Sequence, residues 1–342
     1  MEEFTIMGQL YKQIVLLFFV PLSLFALGKV IYKEISPEIS PWLTGPLLAP
    51  ASQVVPAGHY NIEPYVYATA ITGAYHADGS KSSVPTFWSI ISQTPIQIGV
   101  TSWMNMFLTP TFSWNYSQHT GKVVLDDSPI GIDIQLYPGS SSIPAFMLVL
   151  TELIPLGKYR NLNPEKRGTD ISGFGSWDTQ IGLTIGHLFY LGGVHFLNSR
   201  LFLNVSIPAP VHLEGFNTYG GGIGTNARFF PAKALEADLG LELTLTRNWA
   251  LALDVVGIWT TKPHYSGFPG TTVLGGSASL DERAIRRKAT LGYGPSIEYS
   301  LAPAVEYNWS SDVGLIGGLW FTFAGRKTPV FYSGVFAFNY YH

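Results

Sequence analysis

Leu235-Glu-Ala-Asp-Leu-Gly-Leu-Glu-Leu-Thr-Leu-Thr246 sorts two chemistries onto alternate positions. The odd positions hold Leu235, Ala237, Leu239, Leu241, Leu243 and Leu245, and the even ones hold Glu236, Asp238, Glu242 and Thr244. Successive side chains of a strand point to opposite faces, so this period of two describes a strand with one apolar and one acidic face. A helix repeats every 3.6 residues and would scatter the leucines around its circumference.

The same alternation recurs along the chain. Ile181, Leu183, Ile185 and Phe189 alternate with Gly182, Thr184 and Gly186; Leu201, Leu203 and Val205 alternate with Asn204 and Ser206. Ile130, Ile132, Ile134 and Leu136 oppose Gly131, Asp133 and Gln135. In the final stretch, Val330 to His342, Tyr332, Phe336, Phe338 and Tyr340 share one phase, and Ser333 and Asn339 the other. Strands are expected near 59–73, 86–100, 103–118, 127–137, 145–158, 177–189, 193–207, 234–246, 249–260, 297–309, 312–324 and 329–341. Each can cross a bilayer as a tilted strand, which takes about 9–11 residues. The segment 145–158 stands apart, because Phe146–Leu150 is apolar on both faces.

One apolar face per strand has two solutions. A soluble sandwich packs such faces together, whereas a membrane barrel turns them to lipid and keeps the polar face inside. Composition favours the second. Of 342 residues, 46% are hydrophobic, 14% aromatic and only 13% charged, against about 25% charged in ordinary globular domains. Aromatic side chains gather near strand ends (Tyr60, Trp103, Tyr190, Trp249, Trp259, Tyr332, Tyr340), where interfacial girdles form. Tight connections at Thr101-Ser102, Leu191-Gly192, Arg247-Asn248 and Ser310-Ser311 alternate with long ones near 159–176, 208–233 and 261–296. Short periplasmic turns and longer outer loops belong to bacterial barrels. The fold class expected is therefore all-β, a transmembrane antiparallel barrel of about 12 strands of outer-membrane type, located in the bacterial outer membrane.

The first residues read as an export signal. Ile14–Leu27 is apolar, follows Lys12, and is too short for a comfortable spanning helix. Residues 1–28 are assigned to a signal peptide. Residues 29–58 hold Pro37, Pro41, Pro46, Pro50 and Pro56, which deny donors and rule out strand or helix. This lead-in either tethers the barrel in the periplasm or folds back to plug it, and 59–342 form the barrel. Basic residues concentrate in the long loops, at Lys158, Arg160, Lys166, Arg167, Arg283, Arg286, Arg287 and Lys288. Such cations suit the phosphates of lipopolysaccharide. The run Asp281–Lys288 is expected to form a short loop helix.

The inward phase defines the candidate site. It carries Glu63, Tyr65, Tyr67, Asp133, Glu236, Asp238, Glu242, Asp254, Glu298, Glu306 and Trp320. Carboxylates lining a water path would favour cationic or neutral solutes over anions; packed against tyrosines and serines they would fill the bore instead. Enzyme signatures are weak: no G-x-S-x-G, H-E-x-x-H or P-loop occurs. A barrel lipid hydrolase would need a histidine beside a serine, and Ser117, His119, His187, Ser199 and Ser206 cannot be paired from spacing. Without cysteine there is no thiolate or disulfide chemistry, no cofactor is implied, and a net charge of −3 gives no footprint for nucleic acid.

Four stretches carry a resemblance: Trp42-Leu-Thr-Gly-Pro-Leu-Leu-Ala-Pro50, Gly58-His-Tyr-Asn-Ile-Glu-Pro-Tyr-Val-Tyr67, Ser300-Leu-Ala-Pro-Ala-Val-Glu-Tyr-Asn-Trp309 and Gly314–Arg326. The chain resembles outer-membrane proteins of Legionella and Coxiella type and, more distantly, the barrel family named for the MetA pathway of phenol degradation. That resemblance implies a passive transporter for small hydrophobic or neutral solutes, with outer-membrane lipid and the barrel-assembly machinery as partners. The terminal residue His342 departs from the Phe at which such barrels usually end, but it keeps the phase of Tyr340. The second reading is a non-conducting structural or host-contact surface protein.

Overall fold

A computed structural model describes residues 40–273 and 286–342; the signal-peptide assignment lies outside them. Twelve antiparallel strands close into a barrel. The first four are each interrupted once: Tyr60–Ile62 continues as Tyr65–Tyr75, Lys81–Gln93 as Ile96–Thr101, Met104–Leu108 as Thr111–Ser117, and Thr120–Leu125 as Ser128–Tyr137. The others are Ala145–Ile154, Asp178–Gly192, His195–Pro208, Ala234–Thr244, Trp249–Thr260, Ile297–Asn308, Val313–Arg326 and Pro329–Tyr341. Closure joins the first strand to the last, with Asn61 opposite Tyr341 and Val66 opposite Phe336.

Register follows the alternation. Leu241 lies between Ser199 and Leu253, and Glu242 between Asn198 and Ala252. In the closing strand Tyr332, Phe336 and Phe338 are exposed, while Ser333, Val335 and Ala337 are buried. One barrel wall thus has a greasy outside and a packed inside. Trp103, Trp249, Tyr332 and Tyr340 are exposed near strand ends. Trp259 is buried instead, lying over Gly257 and edge-on to Tyr299.

The four interruptions form a line across neighbouring strands. Glu63 N–H donates to Pro95 O at 3.0 Å, Thr94 N–H to Pro110 O at 3.1 Å and Thr109 N–H to Pro129 O at 2.8 Å. A proline has no N–H to continue a ladder, so Pro64, Pro95, Pro110 and Pro129 bend the wall here. Beyond the bend, Thr120–Leu125 pairs with Thr111–Ser117 alone. Side chains and the following loop tie down its free side: Thr120 Oγ1 donates to Lys166 O at 3.2 Å, and Gly157 and Phe174 N–H groups donate to Asp127 at 2.8 and 2.7 Å.

Both barrel ends meet at the rim of short turns, where Tyr60 N–H donates to His342 O at 2.8 Å. The long loops gather at the opposite rim. There Val211–Glu214, Asn226–Phe230 and His264–Phe268 form a three-stranded cap. Its own core holds Val211, Leu213, Ala227, Phe229 and Leu291. Arg286–Lys288 pairs as a strand with Thr271–Val273 rather than extending the expected helix, a ladder in place of local hydrogen bonds; 274–285 lie outside the described residues. The proline-rich stretch from residue 41 to 57 enters the bore and lines its wall before the first strand begins.

Candidate functional site

The bore is organised around that inserted stretch. Its prolines keep the chain extended, so its N–H groups must find partners on the barrel wall. Thr44 N–H donates to Glu306 Oε1, Ala49 N–H to Asp254 Oδ1 at 3.1 Å, Val54 N–H to Gln135 Oε1 at 2.9 Å and Val55 N–H to Asn105 Oδ1 at 3.1 Å. In return, Asn308 Nδ2 donates to Trp42 O at 3.0 Å and Gln135 Nε2 to Ser52 O at 3.0 Å. The Arg247 guanidinium sits 4.3 Å above the Trp42 ring. The segment runs from the tenth strand, past the ninth, to the fourth and third.

Glycines on the inner face make room for it. A Cβ at Gly240 would lie 2.5 Å from Pro46 Cγ and 2.7 Å from Ala49 Cβ; one at Gly318 would lie 2.7 Å from Leu47 Cδ1. Gly186 faces Ser52 in the same way. Leu47 is 2% exposed and packs with Tyr65, Tyr67, Ala252, Ala302, Ile316 and Val335. Burying a leucine is worth about 1.5–3 kcal/mol, comparable to a backbone bond to a carboxylate. The fifth strand is apolar on both faces for a related reason: Met147 and Val149 turn inward, are buried, and line the same cavity as Pro46–Ala51.

All the acidic candidates lie on the interior phase, and they divide into groups. Asp254 and Glu306 hold the inserted segment. Glu242 is sealed from solvent, accepts from Asn198 Nδ2 at 2.6 Å and pairs with Arg200 at 3.5 Å. Asp133 accepts from Asn105 Nδ2 at 2.7 Å, behind the bond to Val55. Glu236 meets Asn204 at 3.4 Å and Glu298 accepts from Thr328 Oγ1 at 2.6 Å, both toward the long-loop rim. Asp238 is buried opposite Val256 and Phe202. Glu63 accepts from Tyr65 OH at 3.0 Å at the bend; Tyr65 and Tyr67 stack at 5.7 Å. Trp320 donates to Ser300 Oγ at 2.9 Å and stands edge-on to Tyr67 and Phe331 at 6.3 and 4.8 Å.

Among the described residues, cavities lie at successive levels of the bore. Under the cap, 420 Å³ lies between Phe174, Tyr219, Phe229, Asp178, Thr260 and Lys327. Burial holds the Tyr219 phenol well above its usual range, with Asp127 and Asp178 adding to it, so it stays a neutral donor to Phe174 O at 3.0 Å. Beside the inserted segment, 350 Å³ is lined by Glu63, Tyr65, Asp133 and Arg200. Toward the short-turn rim, 690 Å³ is lined by Ser52, Pro138, Gly186, Asn198 and Arg200.

Sequence reading missed Asn105 and Arg200, and it set Gln135 and Asn308 on the polar faces of their strands without naming them as clamps. Arg200 had a signal: it shares the inward phase of Asn204 and Ser206, a lone cation in mid-strand. Of the histidine and serine candidates for hydrolysis, register sets His187 opposite Ser199 on the outward phase; His187 lies edge-on to Phe189 at 4.6 Å.

No family model and no curated relative matches this chain. Solved structures do. An outer membrane channel from Pseudomonas putida F1 is 13% identical over 85% of this chain and 98% of its own, with a TM-score of 0.63. The β domain of the Bordetella autotransporter BrkA (13% identity, 83% of this chain, 99% of that one) and a mutant of the TodX monoaromatic hydrocarbon channel (10%, 84% and 89%) align at TM-scores of 0.43 and 0.33. The first likeness establishes the fold class, a closed 12-strand antiparallel β-barrel of the kind outer-membrane channels have.

Proposed function

We propose that the protein is an outer-membrane channel admitting small neutral or hydrophobic solutes, and that residues 41–57 close it. The observation that carries this reading is the inserted segment itself. It is held by side-chain clamps and seated on glycines, with a cavity on either side. The filling is a stretch of chain ahead of the first strand rather than side chains of the barrel wall. The fold shared with the Pseudomonas channel supports the reading, and the sequence resemblance to barrels of Legionella and Coxiella type and to the MetA-pathway family points the same way. Asp238, Glu242, Asp254 and Glu306 form the acidic wall beside the closing segment, and no cofactor or bond-making step enters. The outward cations Lys158, Arg160, Lys166 and Arg167 are assigned to lipopolysaccharide contact, and the closing strand to the assembly machinery.

The ordered cap favours a second reading, a surface protein that binds at its loops, since Leu213 and Phe229 give those loops a core independent of the bore. Liposome swelling separates the two. Proteoliposomes of the channel swell in small neutral solutes and faster once the segment is displaced; those of a surface protein stay impermeable in both states.

A further inference from the structure

Two cavities beside the closing segment share one charged side chain. The 350 Å³ cavity and the 690 Å³ cavity are both lined by Ala51 and Arg200. Arg200 is on the seventh strand, with Leu201 and Ser199 on the outward phase on either side. Its side chain is 13% exposed, while that of its partner Glu242 is 0% exposed. The ion pair is therefore one-sided: Glu242 Oε2 is buried and shared between Arg200 and Asn198, while the guanidinium lines both cavities. Gly45 of the closing segment packs directly on it, since a Cβ there would stand 2.7 Å from Nη1.

Charges along the route are unequal. The upper of the two cavities carries Glu63 and Asp133 with Arg200. The lower one has Arg200 and no acidic side chain among the residues lining it. A fixed charge at the junction of two narrow, low-dielectric spaces weighs on selectivity more than charges on a wide mouth.

We propose that Arg200 is the specificity-determining residue of the inner half of the channel, and that it holds back small cations while offering a bidentate contact to solutes with a carboxylate or phosphate end. This rests on the channel reading above and narrows its solutes to small hydrophobic ones that carry an anionic end. The acidic wall and this single guanidinium then oppose each other, so the intact protein discriminates only weakly between simple ions.

Reversal potentials across a KCl gradient, recorded on residues 29–342 with the segment in place, test it. Arg200→Gln should raise the K⁺-to-Cl⁻ permeability ratio about fivefold, whereas Arg200→Lys should leave it near the native value. If Arg200→Gln fails to give the heat-modifiable mobility of a folded barrel, the paired substitution Arg200→Gln with Glu242→Gln should shift the ratio the same way but by less, since one acidic charge is lost with the cation. A conducting protein whose ratio ignores these changes overturns the role of Arg200 alone. A protein that never conducts, even without residues 41–56, overturns the channel reading and this inference with it.

Discussion

The backbone N–H of Ala49 donates to Asp254 Oδ1 at 3.1 Å, joining residues 205 positions apart. A residue just ahead of the barrel is thereby pinned to the middle of the ninth strand. Asp254 is 0% exposed, and the inserted chain is what its inward face meets. A bond to a charged acceptor contributes about 1.5–3 kcal/mol, so its loss shifts the segment's equilibrium by one to two powers of ten. Asp254→Ala should therefore speed maleimide labelling of a cysteine placed at Leu48 by roughly 10- to 100-fold. The native chain contains no cysteine, so the label reports that site alone. An unchanged labelling rate would show that Asp254 does not hold the segment.

Gly240 offers a steric route to the same end. Valine there places its first carbon 2.5 Å from Pro46 Cγ and 2.7 Å from Ala49 Cβ, closer than packed atoms approach. The ladder on both sides of Gly240 is complete, so the barrel wall gives less readily than the segment. Gly240→Val should leave the unfolding midpoint in urea within ordinary surface-mutation range, yet make residues 41–57 accessible to protease. Loss of the folded barrel with no gain in cleavage would place the strain in the wall instead.

The outer face is tested at Leu319, which is 62% exposed in mid-strand between two inward residues, Gly318 and Trp320. Arginine on a lipid-facing position near the midplane costs about 2–4 kcal/mol. Leu319→Arg should lower unfolding free energy in lipid vesicles by that amount, and Leu319→Ala by much less. Equal, small losses would mean that this face does not meet hydrocarbon.

How far the sequence carried the account depends on whether a residue's environment is written in its neighbours. Leu239, Leu241 and Leu243 revealed their face because the wall on both sides repeats their period, so strand existence and phase were legible. The upper half of the fourth strand, Thr120–Leu125, was not: Gly121, Lys122 and the Asp126-Asp127 break obscure the alternation. The start of the second strand at Lys81 was hidden by Ser82, Ser83 and Pro85. Glu242 and Asp254 were legible as inward acids, but their partners were not, since Arg200 and Ala49 reach them through three-dimensional closure. Phe146–Leu150 stood out as apolar on both faces, but what Met147 and Val149 pack against lies about a hundred residues earlier in the chain and left no local sign.

The cap should behave as its own cooperative unit. Phe229 is 1% exposed and lies 4.3 Å from the Tyr219 ring. Phe229→Ala costs about 3–5 kcal/mol in a packed core. Here that loss falls on three short strands, so hydrogen exchange should rise across 211–230 and 264–268 and leave the barrel strands protected. Protection that fell together in cap and barrel would make them a single unit.

Planar-bilayer conductance of residues 29–342 beside a variant also lacking residues 41–56 shows whether the inserted segment closes the bore. The account predicts small or rare openings for the intact protein and a stable conductance several-fold larger for the variant, both with the mobility of a folded barrel. A folded variant that conducts no better than the intact chain would contradict the claim that this segment closes a channel.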